Sequence, residues 1–281
     1  MAISARIPAG ADAAGFVKEE WSKNVLDAVH SRLVIVPLVD HTWEAELVKG
    51  DTMNVGILNT VTATEVTIGT EGVIKDIASG SKLQIIIDKY FEAPVVLDDM
   101  TNLQSQVGLV AKGQRESGYA ISKKIDSTLA NLFSSLGNSV GTDGNAITDN
   151  ALIAAVEYLD ENDVPNDGRA WILDPSAKAD MLKITRFVSV DYVRATVVPN
   201  GKFGDIYGSS LFITNNLSTN NNGNFGAYLH KDALAIIAQE NNKIDLIMQP
   251  LKHQMTINTT ALWGVLEMRT TFGVVIYTRK L

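Results

Sequence analysis

Between residues 98 and 137 an apolar side chain recurs every three or four positions: Met100, Leu103, Val107, Val110, Ile121, Ile125, Leu129, Leu132 and Leu136. That spacing is one face of a helix. Asp98 or Asp99 is placed to accept from the free N–H groups of a first turn, and Gly137 to adopt the left-handed conformation after a last one. A helix over the whole stretch would be roughly 55–60 Å long. A compact domain of 281 residues has no need of such a rod. Its single apolar stripe cannot bury itself, so it must lie across other elements.

Three glycines, Gly108, Gly113 and Gly118, interrupt the rod. Each costs about 1 kcal/mol against alanine in a helix interior. Two explanations offset that cost: close packing against a neighbour, or a hinge that lets the rod bend. The polar run Gln114, Arg115, Glu116, Ser117 also breaks the stripe, so the rod is expected to kink there or to be half covered.

Composition narrows the classes of function. At 46% hydrophobic and 20% charged the chain can bury a sizeable core. It has no cysteine, so disulfide and thiolate chemistry are excluded. No basic region followed by an apolar core opens the chain, and no run of about 18 apolar residues predicts a membrane span. The net charge is −8, with no basic cluster denser than Lys123-Lys124. A protein that grips DNA would show a basic face.

The first 20 residues are small, polar and rich in Gly and Ala, and read as a frayed end or as an arm that orders on a partner. A short amphipathic helix is expected over 21–31, an extended segment into Pro37, and a strand over 43–48. From 53 to 95 the pattern is mostly β: two long antiparallel strands with a broad Gly-rich tip around 69–80. An isolated hairpin is marginal in water, so this one needs cover from a neighbouring subunit or from its own core.

After the rod, 138–145 is a Gly, Asn and Asp loop and the best domain boundary. Thr148 or Asp149 caps a helix ending before Val164-Pro165, 170–173 is a short buried strand, and Asp174-Pro175-Ser176 opens another short helix. Residues 186–202 read as irregular, 201–208 as a turn and hairpin, 211–214 as a strand and 219–226 as an exposed turn. Strands follow at 227–229, 244–249 and 256–260, then across 263–278. The order suggests a discontinuous first domain with the middle region inserted.

No catalytic constellation emerges. His30, His41, His230 and His253 lack the short spacing of a metal site. The acidic run 160–168 resembles a calcium loop but contains Pro165 and lacks the closing Glu, so it reads as a helix-to-strand loop. No nucleophile elbow or phosphate-binding lysine follows a glycine loop. No catalytic, cofactor-binding or metal residue is assigned.

The order of elements resembles the major capsid proteins of tailed bacteriophages, with their Hong Kong 97-type coat fold of α+β class. Three segments carry the resemblance: the β arm returning into the rod over 88–137; the helix, Val164-Pro165, Gly168-Arg169, apolar strand and Pro175 over 159–175; and the glycine-punctuated hairpin over 201–208 with the strand into Asn215-Asn216. His230-Lys231-Asp232-Ala233 agrees with a recurring element after it. The resemblance implies an N-terminal arm (1–30), strands leading into a peripheral domain (31–49), an extended loop (50–92), the peripheral domain with its spine helix (93–144), an axial domain (145–235) and returning strands (236–281). It implies a coat that self-assembles through pentamers and hexamers into an icosahedral head around double-stranded DNA. Some relatives carry a cleaved N-terminal scaffolding segment. This chain starts with Met almost at the arm, so a separate scaffolding protein is expected, with a portal, and assembly in the host cytoplasm. A nanocompartment shell holding protein cargo shares the fold and is the alternative; a soluble α+β enzyme or binding module is the other. Charged residues at the loop tip and on the rod, Glu71, Lys75, Asp76, Lys82, Arg115 and Glu116, are the expected subunit-interface residues. No motif supports crosslinking through Lys75 or Lys82.

Overall fold

The computed structural model describes residues 33–47, 50–58, 61–69, 71, 82–104, 108–184, 204–220 and 222–280. The helix expected over 21–31, the irregular run over 186–202 and the tip residues Lys75 and Asp76 lie outside them.

The rod is two helices, α1 (Asp99–Gln104) and α2 (Leu109–Asn131), the second continuing into a 3-10 turn, Leu132–Ser135. This corrects the single helix read from the apolar spacing. Gly108 is the residue before α2, at φ −69° and ψ 76°, and so stands outside the helix. The polar run 114–117 does not interrupt α2. Gly137 is not left-handed. Its N–H donates to the Thr270 carbonyl at 2.8 Å, and a Cβ would sit 2.7 Å from that oxygen, so close approach is what requires glycine.

Helix α2 lies on an antiparallel three-stranded sheet, in which β10 (Gln254–Glu267) runs between β3 (Lys89–Asp98) and β9 (Leu234–Gln249). Burial alternates along β3, half-buried then exposed, the mark of a sheet covered on one face. The helix comes closest at Gly113, where a Cβ would be 2.9 Å from Ile257 Cδ1 and 3.5 Å from Val95 Cγ1. One turn on, Ser117 and Thr259 share a buried hydroxyl–hydroxyl hydrogen bond of 2.7 Å. Further along, Ile121, Ile125 and Leu129 enter one core with Ala261, Trp263, Ile35 and Val39.

The expected long hairpin is shorter. Strands β1 (Thr52–Gly56) and β2 (Lys82–Ile86) pair antiparallel over five residues each, and 57–58 and 61–69 are exposed and not in strands. The run expected as one strand over 82–96 divides at Ile87, whose N–H returns to the Asp51 carbonyl. The β1–β2 ribbon packs on the face of the sheet away from α2, with Ile85 and Ile87 against Ala235 and Ile237. The crossing is tight enough that a Cβ on Gly264 would collide with the Ile86 carbonyl. The extended segment expected into Pro37 and the strand expected over 43–48 give way to two 3-10 turns, Val36–Leu38 and Thr42–Ala45. Pro37 opens the first, and the His41 ring, 2.7 Å from the Val36 carbonyl and 2.9 Å from Glu44, joins the two.

The middle region forms a six-stranded sheet ordered β4 (Asn138–Val140), β11 (Gly273–Arg279), β8 (Gly223–His230), β5 (Arg169–Leu173), β7 (Ser209–Ile213), β6 (Asp205–Ile206). The chain's last strand is thus part of this sheet. Strand β5 is buried at every residue. Helices α3 (Asp149–Glu161) and α4 (Pro175–Met181) share a core with it, through Leu152, Ala155, Leu159, Ala177 and Met181. Thr148 caps α3 by accepting from Ala151, and Asp174 caps α4 by accepting from Ser176 and Ala177. The exposed turn expected over 219–226 ends sooner. Gly223 and Gly226 are buried in β8, and a Cβ on Gly226 would lie 2.9 Å from the Ile172 carbonyl.

Candidate functional site

Two kinds of surface stand out: one that is locked inside the subunit and one that no described residue covers. The locked one centres on Asp126, fully buried on α2. Its carboxylate accepts from the Ile35 N–H at 2.8 Å, from the Val36 N–H at 3.4 Å and from the Asn216 side chain at 3.1 Å. One charge thereby joins the N-terminal segment, the spine helix and the loop after β7. A buried carboxylate is tolerated only with such donors. The loop 162–168 is locked in a similar way. The Arg169 guanidinium donates to the Pro165 carbonyl at 2.9 Å, to Asp160 at 2.7 Å and to the Val164 carbonyl. Burial pulls its pKa down, but the hydrogen bonds to Asp160 and the Tyr228 side chain outweigh that and raise it. This run is therefore the helix-to-strand loop expected. Among the described residues no group of acidic or histidine side chains is arranged to hold a metal, and no helix is long and apolar enough to cross a membrane.

The uncovered surface is apolar. Along the arm Ile57, Leu58, Val61, Val66 and Ile68 are exposed, Ile68 completely. At the far end of the three-stranded sheet, Ile244, Leu246 and Met248 alternate along β9 and are 43%, 50% and 74% exposed. Among the described residues β9 is an edge strand at this end: β10 is its sheet neighbour, and the bridge from Asp40 touches β9 only at Ala235. Val96 and Ile247 face each other across Thr256 on the outer face and are also exposed. Large apolar groups left open in this density mark surfaces that meet another molecule, and an open strand edge invites pairing.

Of the residues expected at a subunit interface, Glu71 and Lys82 are exposed on the arm and ribbon, with Lys82 opposite Gly56. Arg115 and Glu116 lie on α2, which the sheet separates from the ribbon, so the structure does not bring the two sets together. Of the hinge candidates, Gly108 precedes α2, Gly113 is pressed on Ile257, and a Cβ at Gly118 would meet nothing within 4 Å. Reading the sequence for charges missed the apolar residues of the arm and of β9. Their signal was present as apolar residues interleaved with Thr, Asn and Gln.

The family description "phage capsid protein" matches residues 83–241, more than half of the chain. No curated protein sequence matches. Among solved structures the chain is similar to one from Mycobacterium phage Che8, at TM-score 0.81 and 20% identity over 93% of this chain and 97% of that one. It is similar to the capsid structure of the cyanophage P-SCSP1u, at TM-score 0.76 and 16% identity over 96% and 94%. The mature capsid of bacteriophage PhiM1 matches at TM-score 0.74 and 13% identity over 94% and 93%. At these identities the likeness is one of fold, the Hong Kong 97-type coat fold, spanning nearly the whole of each chain. With its spine helix on a three-stranded sheet, its open apolar arm and this sequence match, the chain belongs to the phage capsid protein family and is a structural protein of the capsid.

Proposed function

We propose that copies of this chain close into pentamers and hexamers and tile an icosahedral head around double-stranded DNA. Assembly takes place in the host cytoplasm with a separate scaffolding protein and a portal. The observation that carries this reading is the arm: five large apolar residues between 57 and 68 are exposed, with no core formed around them by the described residues. A neighbour's sheet, with its open β9 edge, supplies what they lack. Contacts that repeat head to tail close into rings, and many weak contacts acting together hold a shell that no single one would hold. Glu71, Lys75, Asp76 and Lys82 sit on or beside that arm in sequence and are proposed to set its register on the neighbour. The domain limits 1–30, 31–49, 50–92, 93–144, 145–235 and 236–281 belong to the same proposal.

The test is a double substitution, Leu58→Asp with Ile68→Asp. Both side chains are exposed, so the subunit keeps its circular dichroism and melting temperature. Negative-stain micrographs that show shells from the parent chain show none from the variant. Shells at parental yield would overturn the arm's role. DNA rather than an enzyme copurifying with native particles identifies the contents.

A further inference from the structure

Charge is unevenly divided between the two long helices. Helix α3 carries Asp149, Glu157, Asp160 and Glu161 and no cation. Helix α2 carries Lys112, Arg115, Lys123 and Lys124 against one acid outside the core, Glu116, in a chain of net charge −8. Lys112, Arg115 and Lys123 fall at intervals of three and eight, near one line along the helix, and span about 16 Å. Beside Lys123 and Lys124 runs a groove of about 340 Å³, lined by Ala120, Ser127, Asn215, Asn216 and Leu217 as well. Its lining holds no carboxylate among the described residues, whereas other grooves carry Glu157 and Asp160, or Asp88, or Asp174. Asp126 lies behind it, but that carboxylate is buried and accepts from Ile35, Val36 and Asn216. The Lys124 ammonium sits 5.0 Å from the centroid of the Phe91 ring, which holds it at the groove's edge.

We infer that this face of α2, with the Lys123–Lys124 groove, is a contact surface for the phosphate backbone of duplex nucleic acid. A docking protein is the other polyanion to consider, and the composition of the face argues against it. None of the large exposed apolar side chains among the described residues lies on α2. A protein interface has an apolar centre, whereas backbone contact with DNA needs cations and little else. The inference rests on the reading of a shell around duplex DNA.

The test uses the full chain and a fluorescent 30-base-pair duplex, of about that length so that several contacts form, titrated over a range of salt. The parent chain binds, and affinity falls as salt rises. In Lys123→Gln with Lys124→Gln the slope of log affinity against log salt is shallower by roughly 1.8, as expected for two lost phosphate contacts. Glu157→Gln with Glu161→Gln on α3 leaves the slope unchanged. In the parent chain, duplex protects Lys123 and Lys124 from acetylation, a measurement that needs no variant. Absence of duplex binding, an unchanged slope in the lysine variant, or unprotected lysines would overturn the inference. So would displacement of the duplex by polyglutamate or by inorganic phosphate at equal ionic strength, the first pointing to a protein partner and the second to a small-anion site. Micrographs of the same preparations separate the two levels. A parent chain that forms rings or shells but binds no duplex refutes only this surface, and a parent chain that stays monomeric at high concentration refutes the reading beneath it.

Discussion

The two sheets of this subunit solve the burial problem in opposite ways. In the six-stranded sheet β5 is buried at all five residues, and Trp171 stacks on Tyr228 at 3.8 Å while donating to the Ile206 carbonyl. The three-stranded sheet alternates along β3 and leaves Tyr90 and Val96 more than half exposed. Its far end, from Ile244 to Met248, is open as well. The first sheet is finished within one chain. The second leaves its far end uncovered by the described residues, and in the proposed shell a neighbour finishes it, so that the contrast divides what must fold from what must assemble.

The comparison can be broken most directly at Trp171. Trp171→Ala should cost about 4 kcal/mol of subunit stability, the usual loss for a fully buried aromatic, whereas Val96→Ala should cost less than about 1 kcal/mol because half of that side chain is already in water. Denaturant unfolding of the unassembled subunit measures both, and comparable losses would mean that the second sheet is as self-sufficient as the first.

A smaller effect is expected at Gly118. A Cβ there meets nothing, so Gly118→Ala should stabilise α2 by up to about 1 kcal/mol through helix propensity alone. If the spine must bend there during assembly, the same substitution lowers the yield of shells while raising the melting temperature. A stabilised subunit that assembles as before would assign no hinge to Gly118.

The smallest effect concerns the cover of the second sheet. Burial pulls the His41 pKa down, but the hydrogen bonds to the Val36 carbonyl and to Glu44 outweigh that and raise it above 6.5. A raised histidine contributes stability in full below its unfolded value, and the contribution is lost as pH rises through the folded value. The melting temperature of the parent chain should therefore decline as pH is raised from 6.5, and that of His41→Gln should decline less. Parallel profiles would remove His41 from the account.

The self-sufficient half was the more legible in the sequence, for a physical reason. Helices α3 and α4 and strand β5 are signalled by caps at Thr148 and Asp174 and by an apolar run, all within a few residues of what they specify. The other half depends on distant partners. Nothing near Ile87 says that the chain leaves the ribbon there, because the reason is the Asp51 carbonyl. Gly137 looks like a helix stop until Thr270, far along the chain, is seen against it. The 3-10 turns over 36–45 carry apolar residues that are half-buried within the subunit rather than against a partner strand, so their apolar content alone did not distinguish them from extended chain. At the proposed assembly surface the charged residues Glu71 and Lys82 are exposed, as residues expected to meet a neighbour should be. The arm was legible as a hairpin in need of cover, but its alternating Val, Ile and Thr did not say whether a neighbour or its own core supplies it, nor which side chains stay open. Asp126 gave no signal, as its partners lie about 90 residues away on either side.

That carboxylate has a mechanical consequence. Fastened at Asp126 to two distant segments and sunk from Ile121 to Ala130 in the common core, the spine is a cantilever. Its root is clamped, and its outer half is held to the sheet by the Ser117–Thr259 hydrogen bond and the contact at Gly113. A load applied by neighbouring subunits to the outer end would concentrate its bending moment just outside the clamp, at Gly118, where no side chain stiffens the beam.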